Sequence, residues 1–464
     1  MSNRLLAFLI FCLSLWSFAA VAPQNPYNDQ IVTRIGLASA IVDSGRLEID
    51  RVAPWTVDKA SFGGHFYADK APGHPLLAVP VVAAAKLVRE ALGLTTDAAR
   101  GAVIYDYARW ATLVVNCTIA AAAAVVLFLA AIGLGASRAG AVFAAFALSL
   151  GTPFFGWSTA FFAHSVSGSF LLFALALVLG RAPMLGGRAV GLGLVLGYGC
   201  VIDLTAAPPL ALIGLLAVVR GAREGSPARA LFPLLLGGPM GLAPLPIYNQ
   251  LAFGSPFHLG YENTAFTGMS EGLFGVTWPR ADVFLQLLIG PYRGLLPLAP
   301  VLLLVPFGLV AMARDARTRP AAIVVALIVA YYFWLNSSYF YWNGGLSTGP
   351  RQLVPLLPPA ALALAFAWPA GAAEKAIALA LLAVSLVLSL ACTLAGMFAP
   401  DTMLFPLTEF VLPRVLDPVN DAPALLVVPA WLAFAWLLLR AGREAIRKGS
   451  VAGPPAWAEQ TGQS

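Results

Sequence analysis

Charged side chains make up only 11% of the 464 residues, against 59% hydrophobic, and that scarcity excludes an ordinary water-soluble domain. Strict alternation of apolar and polar residues is missing as well, so the long unbroken apolar runs do not describe a β-barrel. There are four cysteines, Cys12, Cys117, Cys200 and Cys392, all in apolar segments and without metal-like spacing; neither a disulfide framework nor a cysteine metal site follows. No G-x-G-x-x-G follows a strand and no G-x-x-x-x-G-K-[ST] is present, which removes a nucleotide-binding loop. Internal repeats, heptad runs and low-complexity blocks are absent too. The net charge of +6 and pI near 9.2 do not mark a nucleic-acid partner, because the basic residues are spread over short turns between apolar segments.

What is present is a mean hydropathy of +0.81, with 43 Gly and 35 Pro, the balance of a polytopic helical membrane protein. A ~30 Å hydrocarbon core needs about 20 residues of helix at about 1.5 Å each. Twelve spans are predicted near 5–22, 109–131, 139–152, 164–180, 189–206, 207–220, 230–247, 293–313, 320–335, 353–369, 375–395 and 424–440. The first is read as a retained anchor: Ala20-Val21-Ala22 looks like a cleavage site, but Pro23 follows it directly and Phe11, Trp16 and Phe18 make the run bulky. Segment 76–93 is apolar yet holds Lys86, Arg89 and Glu90, and is expected to lie along the membrane surface or dip in without crossing.

With that parity one face carries more than half of the 28 Lys and Arg but under a quarter of the 22 acids, and should be cytoplasmic. Loops 23–108, 248–292, 336–352 and 396–423 then share the outer face, where the chemistry is expected. Residues 1–448 read as one transmembrane domain, with 23–108 a first outer loop containing juxtamembrane helices and 449–464 a disordered cytoplasmic tail.

Several residues on that face carry chemical promise. Asn28 is a helix cap, Ile31, Ile35, Leu37, Ala38, Ile41 and Val42 make a one-sided stripe, and Asp29 begins an interfacial helix whose positive end favours an acid. Asp29 either supports that helix start or takes part in chemistry. Lys70 stands in Asp69-Lys70-Ala71-Pro72-Gly73 at headgroup level, where it either snorkels or binds one phosphate. Arg351 heads an apolar helix after a turn with Gly344, Gly345 and Gly349, an arrangement suited to a phosphate or sugar, and Tyr341 and Asn343 belong to the same turn. Arg293 repeats the theme of a cation heading an apolar helix. His164 and Asp203 are ionisable residues in apolar surroundings at one membrane level; Tyr261 and Glu262 are further substrate-facing candidates.

An acid just after the first span, a Lys-Ala-Pro-Gly approach to an apolar segment and a late Gly-Gly-x-Ser-x-Gly-Pro-Arg motif together resemble the GT-C superfamily of integral-membrane glycosyltransferases. The nearest groups are the protein O-mannosyltransferase relatives and the lipid A aminoarabinose transferases. The resemblance implies an all-α, GT-C-like bundle of about 12 transmembrane helices with an interfacial-helix first outer loop. It implies an inverting transfer of sugar from a polyprenyl-phosphate donor to a hydroxyl on a glycan, lipid or protein, at the periplasmic face of a bacterial inner membrane. Asp29 would be the base, and Lys70 and Arg351 would hold the donor phosphate. A divalent metal is possible, and no other cofactor is implied. The chain departs from the family pattern in two places: where relatives pair two acids it has Asn28-Asp29-Gln30, and where many place an acid in the second outer loop it has His164. A transporter or lipid-linked glycan flippase is the alternative, against which the candidates gather near one face rather than mid-membrane.

Overall fold

The computed structural model describes residues 1–22, 28–225, 227–417 and 422–449; Pro23 and residues 450–464 of the expected tail lie outside them. In chain order the elements used below are α1 (Asn3–Val21), α2 (Asp29–Ser44), a hairpin of β1 (Ala60–Phe62) and β2 (His65–Tyr67), and α3 (Gly73–Ala91). There follow α4 (Gly101–Leu134), α5 (Arg138–Leu150), α6 (Ala163–Leu179), α7 (Gly186–Ile202), α8 (Leu204–Arg223), α9 (Pro227–Phe253), α10 (Pro300–Arg314), α11 (Arg319–Ser337), α12 (Arg351–Phe366), α13 (Ala372–Ala395) and α14 (Val427–Arg440). Leaving out α2 and α3, six of these are long and apolar enough to cross a membrane and six are shorter apolar helices. They correspond one to one with the predicted spans, and the chain is a multi-pass helical membrane protein. The antiparallel pair β1–β2, closed by Gly63 and Gly64 at φ +60° and +86°, is the one sheet among the described residues.

Boundaries moved where prolines or amphipathic ends intervene. Pro297 and Pro300 break the segment predicted from 293, so α10 begins only at Pro300. The span predicted from 109 starts at Gly101 instead, because an amphipathic turn runs unbroken into the apolar run. Its charges, and those of α3, are spent between loop helices: Lys86 pairs with Asp43 of α2 at 2.6 Å, and Arg89 pairs with Asp106 of α4.

α12 is the helix at the centre, every residue from Leu357 to Ala365 being buried against α5, α6 and α10. Its N-terminal end carries Arg351. Beside it α7 and α9 pack backbone to backbone through Gly193 and Gly197 facing Gly237 and Gly241; a Cβ added at Gly193 would fall 2.5 Å from a carbonyl of α9. Small residues four apart on both helices permit that approach.

Candidate active site

The first loop is built to hold two side chains in place. Asn28 accepts a hydrogen bond from the Gln30 N–H at 3.0 Å and so starts α2, which leaves Asp29 in the first turn at the positive helix end. Asp29 Oδ1 accepts the Val57 N–H at 3.1 Å, and its backbone carbonyl accepts from the Thr56 hydroxyl at 3.0 Å. Among the described residues the second carboxylate oxygen has no hydrogen-bond partner. Lys70 follows the hairpin. Tyr248 of α9 donates to the Ala68 carbonyl at 3.2 Å, Tyr198 of α7 donates to the Gly73 carbonyl at 2.9 Å, and a Cβ at Gly73 would lie 2.5 Å from the backbone of Val201. The strand bearing Lys70 is therefore clamped on both sides.

Lys70 does not stand alone. Its ammonium pairs with Asp69 and lies 3.4 Å from Asp58, over the rings of Tyr261 and Phe266 at 5.6 and 5.9 Å. Burial opposes its charge, but Asp69 and Asp58 outweigh burial and hold its pKa above the ordinary lysine range. Lys70 is thus a charged lysine whose counter-charges are already in place.

Two arginines are in the opposite condition. Arg34 of α2, 5% exposed, has Nε and one terminal nitrogen buried without a partner, and Arg351, 7% exposed, has its Nε buried without one. Both guanidiniums lie over the same ring, Phe162, at 5.6 and 5.5 Å. That ring is mounted from below. In α4, a π-turn spanning Thr112–Cys117 presents the fully buried Asn116, whose Nδ2 donates to the carbonyls of Ala160 at 3.0 Å and Phe162 at 2.7 Å. Asn116 Oδ1 faces His74 Nε2 at 3.0 Å, which places the imidazole proton on Nε2; His74 also stacks on Phe161 at 4.0 Å. Burial, then the nearby Arg34 charge, pushes the His74 pKa well below the usual imidazole range, so the ring is neutral.

Asp29, Lys70, Arg34 and Arg351 face one cavity of about 460 Å³. Of the residues singled out in the sequence, Asp29, Lys70, His164, Asp203, Tyr261, Tyr341 and Arg351 line it; Glu262, Arg293 and Asn343 do not. Glu262 is turned to the Leu259 N–H at 2.8 Å. Arg293 is wholly buried and spends its donors on the carbonyls of Asn343 at 2.7 Å, Gly345 at 3.0 Å and Tyr292 at 3.2 Å; it fastens the glycine turn from outside the cavity. Asn343 bonds within that turn, its Oδ1 accepting the Gly345 N–H at 3.1 Å. Asp203 caps the start of α8, accepting from the Thr205 N–H and hydroxyl at 3.0 and 2.8 Å. His164 has a buried Nδ1 with no partner and sits beside Phe162 and Trp157.

Arg34, Asp58 and Asp69 also line the cavity and were not picked out from the sequence. A signal for Arg34 existed: it falls on the apolar Ile31–Ile35–Ala38 side of α2, where a cation has no solvent reason to be. Much of the wall is apolar or aromatic, including Ile202, Pro208, Leu335, Tyr331 and Phe340, and the amides of Asn336 and Gln352 lie among it. Phe274, at φ 51°, is held in the left-handed region within this wall. Among the described residues no three His, Cys, Asp or Glu side chains are grouped to hold a metal ion; two of the cavity acids are taken up by Lys70.

Neither a family model nor a curated protein matches the sequence. Two solved structures share its architecture. ArnT from Cupriavidus metallidurans bound to undecaprenyl phosphate is 16% identical, covering 95% of this chain and 77% of that one at a TM-score of 0.55. The same protein in the apo state is 17% identical over 94% and 76%, with a TM-score of 0.52. Identity at this level establishes the fold, and the fold is the GT-C-like helical bundle expected from the motifs.

Proposed function

We propose that this chain is an inverting GT-C glycosyltransferase that moves a sugar from a polyprenyl-phosphate carrier to a hydroxyl acceptor at the periplasmic face of a bacterial inner membrane. The observation that carries the reading is one cavity in which a carboxylate faces two buried, unpartnered guanidiniums beside an apolar wall. A buried guanidinium without hydrogen bonds is costly unless an anion completes it, and a lipid-phosphate headgroup is an anion that arrives with its own greasy tail. The shared fold supports the same class, since ArnT binds undecaprenyl phosphate.

In this reading the acceptor hydroxyl attacks the anomeric carbon while Asp29 takes its proton. The carbon–oxygen bond to phosphate breaks, and the electron pair leaves with the phosphate. Arg351 and Arg34, with Lys70 beside them, offset the charge that accumulates on the leaving oxygen. One displacement at one face of the sugar inverts the anomeric configuration. Lys70 contributes a third cation whose charge Asp58 and Asp69 keep in place when the site is empty.

Asp29→Asn keeps the Val57 bond and the helix start but removes the base. Transfer is expected to fall by about 10²–10⁴-fold with the thermal midpoint unchanged, and a variant of full activity would remove the assignment. For the function itself, mass spectrometry of envelope glycans and glycolipids from a strain lacking the protein should show one missing sugar. An unaltered envelope would overturn the proposal.

A further inference from the structure

Two amides in the cavity wall play no part in the phosphate chemistry. Asn336, the penultimate residue of α11, is 3% exposed, and its Nδ2 is buried without a partner. Gln352 follows Arg351 in the first turn of α12. Its Nε2 donates to the Tyr341 carbonyl at 3.1 Å, which fixes the amide's orientation and leaves a buried Oε1 with nothing to accept from. The end of α11 and the start of α12 pack together, so an unfilled donor and an unfilled acceptor stand on adjoining pieces of one wall. Each such vacancy in a hydrogen-bond set costs about 1–3 kcal/mol in a finished fold. Their neighbours in the wall are rings, Tyr339, Phe340 and Tyr341.

A donor and an acceptor without charge, beside aromatic faces, match a hydroxylated ring. A hydroxyl accepts from one amide and donates to the other, and the ring's carbon face lies on aromatic surface. The position agrees with this, because a sugar joined through its anomeric oxygen to a phosphate on Arg351 begins one bond from that phosphate, and Gln352 is the next residue in the chain. We infer that Asn336 and Gln352 form the sugar subsite and that it takes a neutral polyhydroxylated sugar rather than an amino sugar. This rests on the lipid-linked donor proposed above and names its cargo. An ammonium would call for a carboxylate in place of these two uncharged amides; Asp203 holds the N–H and hydroxyl of Thr205 through one of its oxygens, at the start of α8.

The test is native mass spectrometry of the purified full chain with three probes: undecaprenyl phosphate, its hexose-phosphate counterpart and the corresponding amino-hexose lipid. Wild type should hold the hexose lipid about tenfold more tightly than bare undecaprenyl phosphate, and more tightly than the amino-hexose lipid. Asn336→Leu and Gln352→Leu should each erase most of that preference while binding bare undecaprenyl phosphate as before, which also reports that they fold. Gln352→Glu, of the same shape but charged, should move the preference toward the amino-hexose lipid. A preference that survives both Leu variants, a glutamate variant that does not shift, or a wild type favouring the amino sugar would each overturn the subsite and leave the lipid-phosphate reading standing. Failure to bind any of the three lipids would overturn that reading, and the sugar assignment with it.

Discussion

Arg293 and Arg351 look alike in the sequence, each a cation before an apolar run, and their surroundings are opposites. Arg293 has no exposed surface and its donors are spent on three carbonyls of Tyr292, Asn343 and Gly345. Arg351 is nearly as buried, yet its Nε has no partner and its guanidinium lies over the Phe162 ring at 5.5 Å, opposite the equally unspent Arg34. One arginine closes a turn; the other keeps its Nε unspent. A place before an apolar run is common to both, so what separates them is whether the donors are already used.

The sharpest way to break this contrast is to remove each in turn. Arg351→Ala should lower transfer by about 10²–10³-fold, the scale of deleting one preorganised charge donor, with stability held or slightly raised. Arg293→Ala should act through the fold, since the buried Gly345 carbonyl loses its donor at about 1–3 kcal/mol and the part-buried carbonyls of Asn343 and Tyr292 lose theirs too. Thermal unfolding of both variants beside lipid-phosphate binding separates the two roles; a stable Arg293→Ala protein that has lost binding would erase the distinction. Gly344→Ala comes next in size. Gly344 has φ +72°, and an added Cβ would lie 3.1 Å from Arg351 Nε. About 1–2 kcal/mol of backbone strain is expected, together with a displaced Arg351 and roughly tenfold weaker donor use, that factor being 1.4 kcal/mol of lost binding. Unchanged donor affinity in that variant would show that Arg351 does not depend on the turn.

The smallest effect belongs to an exposed pair outside the cavity, His65 Nδ1 with Asp50 Oδ2 at 2.6 Å. The hydrogen bond and charge of Asp50 raise the His65 pKa. Burial acts against Asp50, yet its bonds to His65 and the Phe66 N–H hold it below the usual carboxylate range. The histidine contribution is complete below its unfolded pKa of about 6.5 and disappears as pH rises through the raised folded value. The aspartate contribution is complete above about 3.9 and disappears as pH falls through the lowered one. Hydrogen-exchange protection in the β1–β2 hairpin, each rate divided by the intrinsic rate at that pH, should therefore be greatest in mildly acid buffer and decline toward neutral and alkaline pH. His65→Ala should flatten the upper limb, and an unflattened limb would assign the pH response elsewhere.

Much of the architecture was legible in advance because apolar runs of membrane length leave few alternatives, and the Asn28 cap announced α2 by a local rule. The gathering of Asp29, Lys70 and Arg351 came from a motif resemblance rather than from spacing. Arg34 escaped because one cation in an apolar stripe reads as incidental until its lack of partners is seen. Arg293 looked like Arg351 because the difference lies in carbonyls some 50 residues away. Asp58 reaches Lys70 only once the Gly63–Gly64 turn folds the hairpin back, and the π-turn presenting Asn116 has no sequence signature of its own.

The amide of Asn116 has a mechanical consequence. It ties the start of α3, four residues beyond Lys70, to the ledge that bears Phe162, and so joins the mounts of all three cations through one side chain. A shift of that one amide would therefore be felt at both places, so the hairpin side and the Phe162 side of the cavity wall are held at one spacing.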